Sequence, residues 1–257
     1  MPLSNPSLRL ASYNLHKCRG MTGPHAPERN LQVISDIGAD VIALQEVDFR
    51  LGSRPEALPR ARIEEMTGLV PAVFSGTGSN SLGWHGQTIL LRPALLDKAR
   101  VRRLPLPGIE PRGALALRLP GLTVIAVHLG LVRSSRRAQL ARLVAQAGRL
   151  GNDRLILTGD FNEWRGEHGL EALTDLDVIA PGRSWPALSP RLRYDRIAVT
   201  PSIKVLDCGV FDTPLRGFRT KPGGVLWLAS GCHDGAYFLT AFSNPAERLE
   251  IIDEPGR

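Results

Sequence analysis

The run Leu155-Ile156-Leu157-Thr158-Gly159-Asp160-Phe161-Asn162 constrains this chain more than any other stretch. Its apolar half reads as a buried strand. Gly159 lets the backbone turn closely, and Asp160 and Asn162 follow two residues apart. Residues two apart in an extended strand end point to the same side. A carboxylate and a carboxamide would then project together, offering hard oxygen ligands and one amide donor suited to Mg²⁺ and a phosphate oxygen. The same two residue types also make ordinary Asx turns. The pair gains meaning only from the rest of the chain.

With 257 residues, of which 43% are hydrophobic, the chain can bury one large core. The proline-rich patches at Arg54–Pro59, Pro105–Pro111 and Pro181–Pro190 are short and read as loops, so residues 1–257 are expected to form a single domain. The formal charge is +7, carried mostly by arginine. Guanidinium groups match phosphate oxygens, so the charge favours a phosphate-bearing partner without choosing nucleic acid, phospholipid or a small ester. Cys18, Cys208 and Cys232 form no Cys-x-x-Cys pair, which argues against a disulfide scaffold or structural zinc. No apolar signal region is visible in Met1–Leu10, and Gly113–Val132 is interrupted by Arg118, Pro120 and His128. No transmembrane segment and a cytoplasmic location are expected, with a monomer favoured.

Strands are predicted at Leu8–Leu15, Val41–Leu44, Val70–Phe74, Thr88–Leu91, Arg100–Leu104, Ala114–Leu119, Leu122–His128, Leu155–Leu157, Tyr194–Val199 and Ala236–Phe242. Helices are predicted at Glu28–Ile37, around Arg60–Thr67 and at Ser134–Leu150. In the last, Leu140, Leu143, Val144, Ala147 and Leu150 fall on one face and Arg136 lies elsewhere. Strands crowd between Val70 and His128 without helices, which points to two packed, mixed sheets with helices outside rather than a βαβ repeat. Asn14, Glu46, His128, Asp160 with Asn162, Asp195 and His233 all stand at strand ends, where a buried strand has no need of polar residues. Ligand sites form where such ends converge. His16 lies two residues beyond Asn14 and would face the same side, which makes it a candidate substrate contact. His85 sits near the same loops.

Tyr13-Asn14-Leu15, Leu44-Gln45-Glu46-Val47, His128-Leu129-Gly130-Leu131, Gly159-Asp160-Phe161-Asn162 and Tyr194-Asp195-Arg196-Ile197 together resemble the ordered motif series of the endonuclease/exonuclease/phosphatase superfamily, compact bacterial members above all. The resemblance implies a deoxyribonuclease I-like fold, a four-layer α/β sandwich of two packed mixed sheets flanked by helices. It implies a hydrolase that uses Mg²⁺ or Mn²⁺ to cleave a phosphodiester or phosphomonoester by direct water attack. By the resemblance, Glu46 is the main metal ligand and Asn14 holds the metal or a phosphate oxygen. Asp160 and Asn162 orient water and phosphate, with Asp160 near the metal. His128 donates to the phosphate or leaving group. His233 is the second catalytic histidine, oriented by Asp195. Arg112, in an Arg-Gly element, binds phosphate.

One departure stands out. The family has Ser-Asp-His before its last strand, and here the segment reads Ser230-Gly231-Cys232-His233-Asp234. Asp234 is a candidate compensating carboxylate, because a thiol is a poor ligand for a hard cation. The departure also leaves open a catalytically impaired member that binds a phosphate ligand. Aromatic residues make up only 5% of the chain, which leans the reading away from a duplex-gripping nuclease.

Overall fold

The computed structural model describes residues 7–19, 24–49, 53–74, 80–150, 154–166, 168–184, 191–211, 236–238 and 249–251. The chain order runs β1 (Ser7–Leu8), β2 (Leu10–Asn14), α1 (Pro27–Ile37), β3 (Val41–Gln45), α2 (Arg60–Thr67), β4 (Val70–Pro71) and β5 (Gln87–Leu91). It continues α3 (Pro93–Leu96), β6 (Arg100–Leu106), β7 (Arg112–Leu119), β8 (Leu122–His128), α4 (Arg133–Ala147) and β9 (Leu155–Asp160). Then follow β10 (Asp177–Ile179), β11 (Asp195–Val199), β12 (Ile203–Lys204), β13 (Gly209–Phe211), β14 (Ala236–Phe238) and β15 (Leu249–Ile251).

Two six-stranded sheets result, ordered β13-β14-β2-β3-β5-β4 and β10-β11-β9-β8-β7-β6, beside a small sheet β1-β15-β12. Each large sheet is mixed. Its one parallel pair, β2 with β3 or β8 with β9, is flanked by antiparallel neighbours. Alternation decides what each face does. Leu10, Val41, Ala43, Ile89 and Leu91 of the first sheet meet Leu115, Leu117, Val124, Ala126, Ile156, Ile197 and Val199 of the second in one apolar layer. The opposite faces bury Tyr13, Ile42, Leu44 and Leu90 under α1 and α2, and Ile125, Val127 and Leu157 under α4. The fold is therefore a four-layer α/β sandwich, as expected.

The differences from expectation are local. The strand at Val70 stops at Pro71, which has no N–H to extend a ladder. Ala236–Phe238 forms a strand, and the rest of the expected Ala236–Phe242 strand lies outside the described residues. Helix α4 buries most of its apolar stripe, with Leu150 in the core and Ala147 packed against it. Leu140 and Leu143 are buried, but Val144 is exposed. Arg136 turns inward instead and pairs with the buried Glu163, Nη2 to Oε2 at 2.6 Å. Arg133 adds a second guanidinium, Nη2 to Oε1 at 3.0 Å. This ion-pair group fixes the start of α4 to the loop that follows β9.

Burial acts against the Glu163 charge, but hydrogen bonds from Arg133, Arg136 and the Arg165 N–H outweigh it and hold the carboxyl at about 2, below its ordinary 4.5. A depressed folded-state value means that the stabilisation is present above pH 4.5 and fades as pH falls toward 2. Glu163→Gln leaves the Arg136 charge buried and should cost about 3 kcal/mol at neutral pH. Denaturant unfolding should show the gap between variant and wild type closing as pH falls through that window. A gap independent of pH would refute the ion-pair account.

Candidate active site

The same alternation that builds the inter-sheet layer carries polar groups to one end of it. On β2, β3 and β5 the inward positions end at Asn14, Gln45 and Gln87; on β11, β9, β8 and β7 they end at Asp195, Asp160, His128 and Gly113. Asp195 pairs with Asp160 across β11–β9, and His128 pairs with Asp160 across β8–β9. Asp195, Asp160 and His128 therefore form one row over three adjacent strands. Asn14 reaches across from the other sheet, its Nδ2 donating to Asp160 Oδ2 at 3.4 Å. Gln87 Nε2 ties the sheets a second time by donating to the Gly113 carbonyl at 2.5 Å.

Gly159 makes the row possible. Its φ is +149°, and a Cβ there would come within 1.9 Å of the Val127 carbonyl oxygen. Only glycine lets β8 and β9 approach closely enough to set His128 Nε2 at 3.7 Å from Asp160 Oδ2. Beyond Asp160 the chain does form an Asx turn. Asp160 Oδ1 accepts the Asn162 N–H at 2.8 Å, and Asn162 takes a φ of 51°. The Asn162 side chain donates to the Leu129 carbonyl at 2.8 Å. The turn and the site are thus the same structure.

A cleft of about 370 Å³ brings together Asn14, His16, Glu46, Arg112, His128, Asp160 and Asn162, seven of the residues singled out in the sequence. Glu46 follows β3 with a φ of 54°. Arg112 is buried and pairs with Glu110, Nη2 to Oε2 at 2.7 Å. Asp195 and Arg196 are both buried, and Arg196 donates to the Arg193 and Asp195 carbonyls. His233, Cys232 and Asp234 lie outside the described residues. His16 lines the cleft by a different route from the one expected: β2 ends at Asn14, and His16, Lys17 and Cys18 all take left-handed backbone. That turn was invisible to strand periodicity.

It also delivers Lys17, which sequence reasoning missed. Lys17 N–H donates to the Glu46 carbonyl at 3.1 Å, and its Nζ pairs with Glu46 Oε2 at 2.5 Å. Tyr194 also lines the cleft. Its place beside Asp195 in the quoted motif was the available signal.

The donors facing the cleft suit a hard cation. Glu46, Asp160 and Asn14 offer oxygen atoms, with the imidazoles of His16 and His128 beside them, whereas Cys18 is packed in the core under α1 and its thiol is pushed up to about 12 by burial. Among the described residues no three His, Cys, Asp or Glu side chains gather closely enough to hold a metal by themselves. An open site of one or two carboxylates fits Mg²⁺, which keeps several of its waters.

The model of the Endonuclease/Exonuclease/phosphatase family matches residues 11–218. Protein YbhP of Escherichia coli K12 is 32% identical over 220 residues, covering 75% of this chain and 85% of its own. Two solved structures share the fold at low identity. Danio rerio TDP2 complexed with single-strand DNA product has a TM-score of 0.62 at 15% identity, covering 91% of this chain and 98% of its own. The Bacteroides thetaiotaomicron mannosyl-6-phosphatase has a TM-score of 0.60 at 17% identity, covering 90% and 98%. No helix among the described residues is long and apolar enough to cross a membrane.

The buried carboxylates carry an electrostatic load. Burial, only partly offset by the Asn162 N–H, Arg112 and Asn14, raises the Asp160 carboxyl to about 6. Burial and the Asp160 charge raise Asp195 as well. A carboxyl raised in the folded state costs stability as pH climbs from its unfolded value of 3.8 through 6. Metal-free Asp160→Asn should therefore melt at a higher temperature than wild type above pH 6, with the difference shrinking at lower pH. Equal or lower melting at pH 8 would show that the charge is fully compensated within the chain.

Proposed function

Because the chain belongs to the endonuclease/exonuclease/phosphatase family, we propose that it hydrolyses a phosphoester by direct attack of water, using Mg²⁺ or Mn²⁺ held by Glu46, Asp160 and Asn14. The observation that carries this reading is the row Asp195, Asp160, His128, faced across the two sheets by Asn14 and, in the shared cleft, by Glu46. Phosphoryl transfer asks the protein for positioning and charge neutralisation rather than for a special nucleophile. The bound cation supplies charge neutralisation at the phosphate oxygens.

The chain's own groups do the rest. The buried Arg112 guanidinium holds a phosphate oxygen with its fork partly fixed by Glu110. Asp160 and Asn162, locked together by the Asx turn, orient the attacking water and the phosphate. His128 donates to the phosphate or the leaving oxygen. Asp195 orients His233 and stabilises its charged form, and Asp234 compensates for Cys232. The solved neighbours named as a phosphatase and as a complex with a DNA product lend the fold phosphoester chemistry.

Purified protein with Mn²⁺ or Mg²⁺ should hydrolyse at least one of an aryl phosphodiester, an aryl phosphomonoester, plasmid DNA and phospholipid vesicles, and chelation should stop it. His128→Ala and His233→Ala should each lower the rate by about 10²-fold or more. Inactivity on the whole panel would refute the proposal. Lys17 neutralises Glu46 when no cation is bound, so it competes with the metal. Lys17→Met should tighten Mn²⁺ binding by about fivefold, as expected for loss of a competing ion pair worth about 1 kcal/mol. Calorimetry showing unchanged affinity would dismiss the competition.

A further inference from the structure

A second cavity, of about 210 Å³, adjoins the cleft and shares Glu46, Arg112 and His128 with it. The reaction as derived makes no use of its far wall, formed by Asp48, Phe49, Arg54 and His85. That wall is costly to build. Arg54 and His85 hold left-handed backbone, at φ 54° and 49°, as does Glu46 between the two cavities at 54°. Non-glycine residues keep such conformations mainly where surrounding structure imposes them, often at ligand clamps.

The His85 ring is fixed by packing. It stands edge-on to Trp84, with ring centroids 4.4 Å apart and planes at 66°. Trp84 in turn lies on Gly113, where a Cβ would come within 2.2 Å of the indole. The Arg112-Gly113 pair thus serves both cavities: arginine for the phosphate, glycine for the seat of Trp84 and His85. Held there, His85 keeps a buried Nδ1 with no hydrogen-bond partner. Burial first, then the charges of Arg54, Arg112 and Arg103, push its pKa down. A neutral imidazole offers one donor and one acceptor, which matches a hydroxyl.

Hydrogen-bonding character and size narrow the occupant. Among the described residues the walls set three carboxyl groups, Glu46, Asp48 and Glu110, beside two guanidinium groups, Arg54 and Arg112. The mixture of acceptors and donors around the Phe49 ring suits a ring or chain with several hydroxyls and a C–H face. At roughly 30 Å³ for each water, the cavity has room for about seven waters, the scale of a sugar rather than a stacked base pair.

We propose that this cavity seats the leaving group of the substrate, and that the leaving group is an uncharged polyhydroxylated alcohol, a monosaccharide or short polyol, hydrogen-bonded to His85. The substrate is then its phosphomonoester. Water adds to phosphorus, the bond from phosphorus to the alcohol oxygen breaks, and that oxygen takes a proton. Free alcohol and inorganic phosphate leave. The inference rests on the phosphoester reading above.

The test compares kcat/KM of the full chain with Mn²⁺ on a hexose phosphate, glycerol phosphate, methyl phosphate, adenosine monophosphate, plasmid DNA and phospholipid vesicles. The two polyol esters should exceed methyl phosphate by about tenfold or more, because a site that pairs hydroxyls penalises a ligand without them. His85→Ala and Arg54→Ala should raise KM for the hexose phosphate by about fivefold, the scale of one lost hydrogen bond, and leave methyl phosphate turnover unchanged. Arg54→Ala keeps its Cβ and the same backbone demand, so it serves if His85→Ala does not fold. Equal use of methyl and hexose phosphate, or a preference for DNA, the nucleotide or vesicles, overturns the subsite while leaving phosphoester hydrolysis standing. Inactivity on every ester overturns both.

Discussion

Two carboxylates, Asp160 and Asp195, are buried side by side at the end of the inter-sheet layer. Like charges so placed repel, and burial strips each of the water that would stabilise it. The surroundings answer this constraint. Asn14 crosses from the opposite sheet to donate to Asp160, the Asn162 N–H caps its other oxygen, and His128 and Arg112 face the same cleft. Lys17 pairs with Glu46 in the same cleft, and the divalent cation proposed above would add further positive charge there.

The sandwich produces most of this arrangement through strand alternation. Each large sheet contributes inward positions that are apolar along most of their length and turn polar at one end. The parallel pairs β2–β3 and β8–β9 bring Asn14 beside Gln45 and His128 beside Asp160 in register. Glycine is required where backbones or rings come closest, at Gly159 against Val127 and at Gly113 under Trp84. Behind the site, Glu163 clamps Arg133 and Arg136 of α4 to the loop carrying Asn162. Rigidity in that loop matters because positioning is most of what the chemistry asks for.

Much of this was legible in the sequence, because period-two alternation specifies both the strands and the faces they bury. Asn14, Glu46, His128, Asp160 and Asp195 stood out as polar ends of apolar runs. Lys17 did not, since a left-handed turn over three non-glycine residues has no periodic signature. Arg136 was hidden for another reason. An arginine on a helix reads as solvated, and only the tertiary partner Glu163 brings it inside. Val144 failed in the opposite sense: its spacing matched the apolar stripe, but it lies at the stripe's edge and is exposed. His85 was placed near the site loops by sequence, with solvation as its default, but its packing was not visible there because it depends on Trp84 lying over Gly113.

The central claim is that a divalent cation completes the end of the inter-sheet layer. Anomalous diffraction from a Mn²⁺-soaked crystal tests it most directly. The account predicts a single strong peak with carboxylate oxygens of Glu46 and Asp160 at roughly 2.0–2.5 Å, the range for oxygen ligands of such cations, and Lys17 withdrawn from Glu46. A crystal at saturating Mn²⁺ with no peak in the cleft and the Lys17–Glu46 pair intact would contradict it.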